Sequence, residues 1–440
     1  IWRRQLIAEF SRRQFGKLAG GGAGIAASAG ALAHFAIAQG KGKVVVIGGG
    51  AGGATVAHNV KKNAPDLDVT LVEMNPQYTS CFFSTLYLGG FRTLESLTHG
   101  YDGLMAAGIN VINDMATGVD AAKKTVSLKG GNTLAYDKLV LSPGIDFKYD
   151  TIEGYSQEAA QVMPQAWKAG PQTTLLKDKL EAMPDGGLVV MAAPNNPFRC
   201  PPGPYERMCM IAHYLKTAKP KSKLIVLDPK KTISKQPVFV EAVNKYYKDI
   251  VQLNLTNEID DFTVVKVDPK TGEVVTKSGE KFNAAVANII PNQKAGKIAH
   301  DAGCAEGDWC PVDPATFVSK KVPDIYVLGD ASIANEMPKS AFSANSQAKV
   351  VSANIAAALA GKPSFPARYR NTCWSLLAPN DSVKVGASYQ AGEKDGKQML
   401  VASGGFVSKP GEDAKLREEQ FNESVGWYSG ITADMFAKTA

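Results

Sequence analysis

The run Val44-Val-Val-Ile47 is short, apolar and β-branched, and Gly48-Gly-Gly50 follows it at once, which predicts a buried strand leading into a tight turn. Residues 54–62 then read as a helix, and Val69-Thr-Leu-Val-Glu73 as a second strand. The same rhythm recurs further on. Tyr136-Asp-Lys-Leu-Val-Leu-Ser-Pro-Gly144 is a strand ending in a small-residue turn. Gly187-Leu-Val-Val-Met-Ala192 and Lys223-Leu-Ile-Val-Leu-Asp228 flank a helical stretch over 205–217, the pattern of parallel strands joined by a crossover. Residues 263–267 and 274–276 predict a small antiparallel addition turned at 269–272. Val322-Pro-Asp-Ile-Tyr-Val-Leu-Gly-Asp330 is a strand with Gly-Asp at its carboxyl end, followed by an Ala-rich helix over 343–359.

The glycines give the first of these units a chemistry. Gly48, Gly50 and Gly53 fit G-x-G-x-x-G, and Glu73 stands at the end of the second strand. The first glycine permits the turn, the second lets the backbone approach a pyrophosphate, and the third lets helix and strand pack closely. An acid at the position of Glu73 suits a ribose hydroxyl. The motif alone is weak, but here strand, helix and acid all stand where a dinucleotide site needs them.

A chain of 440 residues has room for two or three domains. With 45% apolar and 21% charged residues it has an ordinary globular composition. The net charge of +7 is concentrated at the start, where residues 1–40 hold five basic groups and one acid, leaving about +3 for the rest. That excludes a nucleic-acid footprint. Ser11-Arg12-Arg13-Gln14-Phe15-Gly16-Lys17 resembles a twin-arginine export signal, with a Gly/Ala-rich run and Ala36-Ile37-Ala38 as a cleavage pattern after it. Residues 1–39 are therefore expected to be a signal peptide and the mature protein to be periplasmic, with no stable membrane insertion.

The second strand–helix unit differs from the first. Its opening strand leads into Ala193-Pro-Asn-Asn-Pro-Phe-Arg-Cys-Pro-Pro-Gly-Pro204, whose five prolines remove backbone donors and stiffen the loop. Such a loop is poorly built to cradle a pyrophosphate. The expectation is one dinucleotide site, not two.

The turn at Gly144 and the Gly329-Asp330 pair resemble the second and third signatures of flavoproteins with two dinucleotide-type domains. The fold class implied is α/β, with two Rossmann-like domains of the disulfide-reductase-like flavoprotein plan and a C-terminal α+β interface domain. The expected boundaries are 41–150 with 290–360 for a discontinuous FAD-binding domain, 151–289 for a second Rossmann-like domain without an NAD motif, and 361–440 for the last. Asp330 would accept hydrogen bonds from the ribityl or pyrophosphate region.

Six cysteines are present: Cys81, Cys200, Cys209, Cys304, Cys310 and Cys373. They allow fifteen pairings, and spacing alone does not choose among them. Cys304 and Cys310 read as a short structural disulfide, and Cys209, on an apolar helical stretch, as a buried thiol. No C-x-x-C pair suggests zinc, and no C-x-x-C-H suggests haem attachment to this chain.

Three cysteine contexts are more specific: Tyr78-Thr-Ser-Cys-Phe-Phe-Ser84, the proline loop around Cys200, and Asn371-Thr-Cys-Trp-Ser375. Together with the exported, NAD-less plan they resemble the flavoprotein subunit of flavocytochrome c sulfide dehydrogenase, over essentially the whole chain from Lys43 onward. The resemblance implies that Cys81 holds FAD through a thioether to its 8α-methyl carbon. It implies a redox-active disulfide of Cys200 with Cys373, sulfide as substrate and a c-type cytochrome subunit as partner. Glu206 would take a proton from the sulfur substrate, or else is a first-turn acid favoured by its helix. Trp374 would cover the pocket or pack in a core, and Lys339 would approach the flavin edge or lie on the surface.

The chemistry is coherent. Hydrosulfide attacks a disulfide sulfur as a thiolate does, leaving a persulfide and a free thiolate. The competing readings are a sulfide:quinone oxidoreductase, a flavin electron carrier without sulfide turnover, and an NADH dehydrogenase, which the proline loop disfavours.

Overall fold

Lys43–Ile47 is the middle strand of a five-stranded parallel sheet. Asp68–Glu73 and Asn110–Asn113 extend the sheet to one side, Lys138–Leu141 and Ile325–Val327 to the other. Val44, Val46, Leu71, Leu139 and Leu141 are fully buried, as the unbroken apolar runs of a sheet covered on both faces require. Each such side chain stabilises the fold by roughly 1.5–3 kcal/mol. This computed structural model describes residues 42–364 and 366–437, so the expected export leader lies outside the described residues.

The predicted elements form with small changes of boundary. The first helix is Gly53–Asn63, and the Ala-rich helix is Ala341–Leu359. The strand before Gly329 is shorter than expected, because Val322 and Pro323 lie in a turn and only Ile325–Val327 joins the sheet.

A second parallel sheet has the order Val251–Leu255, Lys223–Asp228, Leu188–Ala192, Val286–Ile289. The helix Gly203–Ala218 crosses between its two middle strands, with proline in its first turn, where the missing N–H costs nothing. The small antiparallel addition has three strands, Val264–Asp268, Glu273–Thr276 and Lys281–Asn283. The chain passes between the two sheets through a two-stranded antiparallel pair, Ile145–Phe147 with Gln293–Ala295.

The last block is three antiparallel strands, Arg368–Ala378, Asp381–Lys394 and Lys397–Val407, and the helix Ala414–Phe436. It is α+β as expected, but not a body apart. Tyr369, Tyr389 and Ile431 belong to the core of the first sheet, and Leu376, Leu377 and Val383 to the core of the second. The C-terminal helix is pinned by Arg417, whose guanidinium meets Glu412 at 2.9 Å, Asp381 at 3.0 Å and Glu241 at 3.1 Å.

Candidate active site

The glycine turn is built as its spacing predicts. Gly48 has φ +99°, and a Cβ there would collide with the Ser142 carbonyl. A Cβ on Gly53 would collide with the Gly48 carbonyl, so the helix lies directly against the strand. Gly50 is different: its nearest neighbour would be the Tyr78 ring at 3.4 Å, which leaves that face open to a ligand. Glu73 accepts from the Gly49 N–H at 2.7 Å and from the Asn75 N–H and side-chain amide at 2.9 Å. Its carboxylate shapes the turn and keeps acceptor capacity for a hydroxyl. Gly144 and Gly329 adopt φ +68° and +72° at the carboxyl ends of neighbouring strands.

Asp330 follows Gly329 and is held by Arg199 at 3.8 Å. Its other oxygen, Oδ1, is buried with no partner. Burial pushes its carboxyl pKa up, and Arg199 and Lys339 pull it down. An open glycine cradle, a strand-end acid and an orphaned carboxylate oxygen fit a flavin dinucleotide. In the second sheet the corresponding places are closed. The proline loop replaces the glycine turn, and Asp228 at the strand end is fully buried. It accepts from the Tyr205 hydroxyl at 2.7 Å and pairs with Lys230 at 2.8 Å.

At the carboxyl ends of the two sheets lies a cavity of about 90 Å³, lined by Cys81, Cys200, Cys373, Glu206 and Trp374 among others. Residues separated by hundreds of positions therefore meet in one place. Cys81 precedes the short helix Ser84–Leu88, anchored by the Ser84 hydroxyl donating to the Cys81 carbonyl at 2.6 Å. Cys200 has φ +60°, a left-handed conformation disfavoured by about 1 kcal/mol or more for a residue with a Cβ. It is held there because its N–H donates to the Lys339 carbonyl at 2.8 Å and its own carbonyl accepts from Gly203 at 2.8 Å. Cys373 lies on the first C-terminal strand with its sulfur 3.5 Å from the Asn371 amide nitrogen.

The six cysteine sulfurs stand unbonded. Cys200 and Cys373 share the cavity, and the Cys373 sulfur also engages the Asn371 side chain. Cys304 and Cys310 are each fully buried, and the Cys304 thiol donates to the Ala302 carbonyl at 3.8 Å. Cys209 is a fully buried free thiol, as expected.

Glu206 sits in the first turn of its helix yet faces the cavity. One oxygen accepts from the Leu376 N–H at 2.9 Å, the other from the Thr85 hydroxyl at 2.7 Å. Burial raises its pKa, and those two donors oppose the rise. Trp374 lines the cavity, donates to Glu423 at 3.2 Å and packs 5.5 Å from Trp427, ring to ring. Lys339 is not a surface lysine. Its ammonium donates to the Asp330 and Ser332 carbonyls at 2.8 and 2.7 Å and covers the Trp309 ring at 3.8 Å. Burial lowers its pKa to about 8.

Two cations that line the cavity, Arg199 and Arg207, and one behind the Cys373 strand, Lys235, were not singled out from the sequence. Arg199 donates to the Trp167 carbonyl. Arg207, 1% exposed, donates to Gln165 and Asn288 at 3.1 Å and lies 4.8 Å from the Trp167 ring. Lys235 reaches the Cys373 strand from the start of the helix Gln236–Ala242. The one sequence signal was Arg207, a charge set directly against the apolar stretch Met208-Cys-Met-Ile-Ala212.

Fold and site together define a flavoprotein oxidoreductase with two dinucleotide-type domains. A family model for pyridine nucleotide-disulphide oxidoreductases matches residues 42–173. Two further models match: the central region of the sulfide dehydrogenase [flavocytochrome c] flavoprotein chain over 173–291, and the flavocytochrome c sulphide dehydrogenase flavin-binding region over 365–436. The chain belongs to the flavocytochrome c sulfide dehydrogenase flavoprotein family.

A short flavoprotein chain of the Chlorobaculum thiosulfatiphilum sulfide dehydrogenase is 48% identical over 42 residues, 10% of this chain and 88% of that one. The mitochondrial sulfide:quinone oxidoreductase of Mus musculus is 23% identical over 308 residues, 66% of this chain and 65% of that enzyme, just under two thirds of its length. The solved structure of the sulfide:quinone oxidoreductase from Aquifex aeolicus superposes with a TM-score of 0.63 at 19% identity, covering 91% of this chain and 96% of that one.

Proposed function

We propose that this protein oxidises sulfide to elemental sulfur or polysulfide in the periplasm and passes the electrons to a c-type cytochrome subunit. The observation that carries the reading is the meeting of Cys81, Cys200, Cys373 and Glu206 around one cavity at the dinucleotide end of the fold. FAD, when bound, accepts two electrons and can return them one at a time, which suits a haem acceptor. Gly48, Gly50, Gly53, Glu73, Gly144, Gly329 and Asp330 would hold it, and Cys81 would tether it by a thioether.

The chain's own groups divide the remaining work. Cys200 and Cys373, joined as a disulfide, receive hydrosulfide: an S–S bond breaks, a new sulfur–sulfur bond forms, and one cysteine leaves as thiolate. Glu206 takes the substrate proton, its pKa raised towards the working range. Phe82, Trp374 and Trp427 wall the cavity and limit water. The closed second nucleotide place around Asp228 supports an enzyme that does not draw on NADH.

A quinone acceptor is the second reading, favoured by the likeness to sulfide:quinone oxidoreductases. Among the described residues no helix is long and apolar enough to cross a membrane. Steady-state sulfide oxidation with cytochrome c and with decylubiquinone, under equal conditions, separates the two. Faster cytochrome reduction is expected, and faster quinone reduction would overturn the choice of acceptor.

A further inference from the structure

Lys235 is 6% exposed and stands at φ +57° before its helix. Its ammonium donates to the Ser375 hydroxyl at 2.8 Å and to the carbonyls of Cys373 and Val383 at 3.2 and 3.4 Å. All three acceptors are neutral. Among the described residues no carboxylate comes within 4.0 Å of it, whereas the partly buried Lys230 has Asp228 at 2.8 Å. A buried cation solvated only by dipoles is costly unless an anion balances it.

The titratable groups facing Lys235 are Cys373 from the same strand, Glu206 and Cys209 from the cavity helix, and Cys200 from the proline loop. Cys373 in turn faces Lys235, Glu206, Cys200 and Tyr389, with Asn371 and Ser340 as hydrogen-bonding neighbours. Glu206 already has both oxygens engaged by Thr85 and Leu376. Cys209 is fully buried on the cavity helix and does not line the cavity. That leaves the sulfur of Cys373, whose own carbonyl the ammonium holds.

We propose that Lys235 is a positioning residue for the thiol pair, supplying the counter-charge for a thiolate at Cys373 once the pair is reduced. This rests on the sulfide-oxidising reading. Opening the disulfide with HS⁻ conserves charge: one negative charge enters with hydrosulfide, and one remains as the electron pair on the departing sulfur, while the hydrosulfide proton passes to Glu206 or stays on the persulfide. Lys235 stabilises that charge on Cys373 and so opposes the reverse step, in which the thiolate would attack the Cys200 persulfide, expel HS⁻ and reclose the disulfide. The contrast between the two thiols agrees. Burial raises both; Asn371 and Lys235 restrain Cys373, whereas Cys200 is driven further up by Cys373, Glu206 and Cys81, with Lys235 opposing them only weakly. Burial lowers the Lys235 pKa to about 8, so the amine is still charged at neutral pH.

The test needs no sulfide. The chemically reduced holoprotein is pulsed with iodoacetamide across pH 6–10, and alkylation is read at each cysteine by peptide mass spectrometry. In the wild type Cys373 reacts at lower pH than Cys200. Lys235→Met slows Cys373 at pH 7 by about tenfold or more, one unit of pKa, and Lys235→Arg restores it with flavin content unchanged. Cys200 reacting first in the wild type overturns the proposal even if the Met variant does not fold. An unchanged Cys373 profile in a folded Met variant overturns it too. Failure of sulfide to reduce a protein whose thiols behave this way would instead overturn the functional reading.

Discussion

The Glu206 carboxylate accepts the backbone N–H of Leu376 at 2.9 Å. One hydrogen bond thus joins the helix that follows the Cys200 loop to the strand that carries Cys373. It fixes the two thiol-bearing segments relative to each other and puts a proton acceptor beside them.

Glu206→Gln keeps an oxygen for Leu376 and removes the proton acceptor. Sulfide-dependent flavin reduction is expected to fall by about a hundredfold with FAD still bound. Stability moves the other way. The folded-state pKa of Glu206 is raised, so its stabilising contribution is present below the ordinary carboxylate pKa and lost as pH rises through the raised value. The Gln variant should therefore melt higher than wild type at pH 8 and no higher at pH 4, as a pair of thermal melts checks.

Removing the Cys81 thiol is expected to release the flavin. FAD should come off Cys81→Ala on acid precipitation, while the wild-type flavin stays with the polypeptide. Visible spectra of supernatant and pellet decide this, and free flavin from the wild type would contradict a tether.

Arg417 is 4% exposed and gathers three carboxylates from the C-terminal block and the second domain. Arg417→Leu strands Glu241, Asp381 and Glu412 in a partly buried site and should cost about 3 kcal/mol in urea unfolding. A change below 0.5 kcal/mol would show that the C-terminal helix is held by apolar packing alone.

NADH should leave the flavin oxidised. Asp228, the acid placed where a second dinucleotide would need one, is occupied by Tyr205 and Lys230. Bleaching of the visible flavin band by NADH in the absence of sulfide would mean that this place opens.

Much of this was legible in the sequence, for local reasons. Glycine spacing around Gly48 and the apolar runs on either side of Gly187 and Lys223 are set by short-range geometry, and those elements formed as read. Cys81, Cys200, Cys373 and Glu206 were legible from their immediate contexts, and the structure places all four on one cavity. The cations were not. Arg199 and Lys235 lie in segments without periodicity, where a basic residue reads as solvated, and only the packing of distant strands buries them. The C-terminal helix was legible only as part of an α+β block. Its buried face runs through Arg417, Gln420, Ser424, Tyr428, Ile431 and Met435, so polar groups satisfied in the fold mask the helical pattern. The pairing of the cysteines was not legible, because redox state is a condition of the protein and not a property of spacing.

Anaerobic titration of the oxidised holoprotein with sulfide, followed at the visible flavin band, tests the central claim most directly. The account predicts stoichiometric bleaching in the wild type and none in Cys200→Ser or Cys373→Ser, each with its full complement of FAD. Bleaching at wild-type rates in both variants would contradict it.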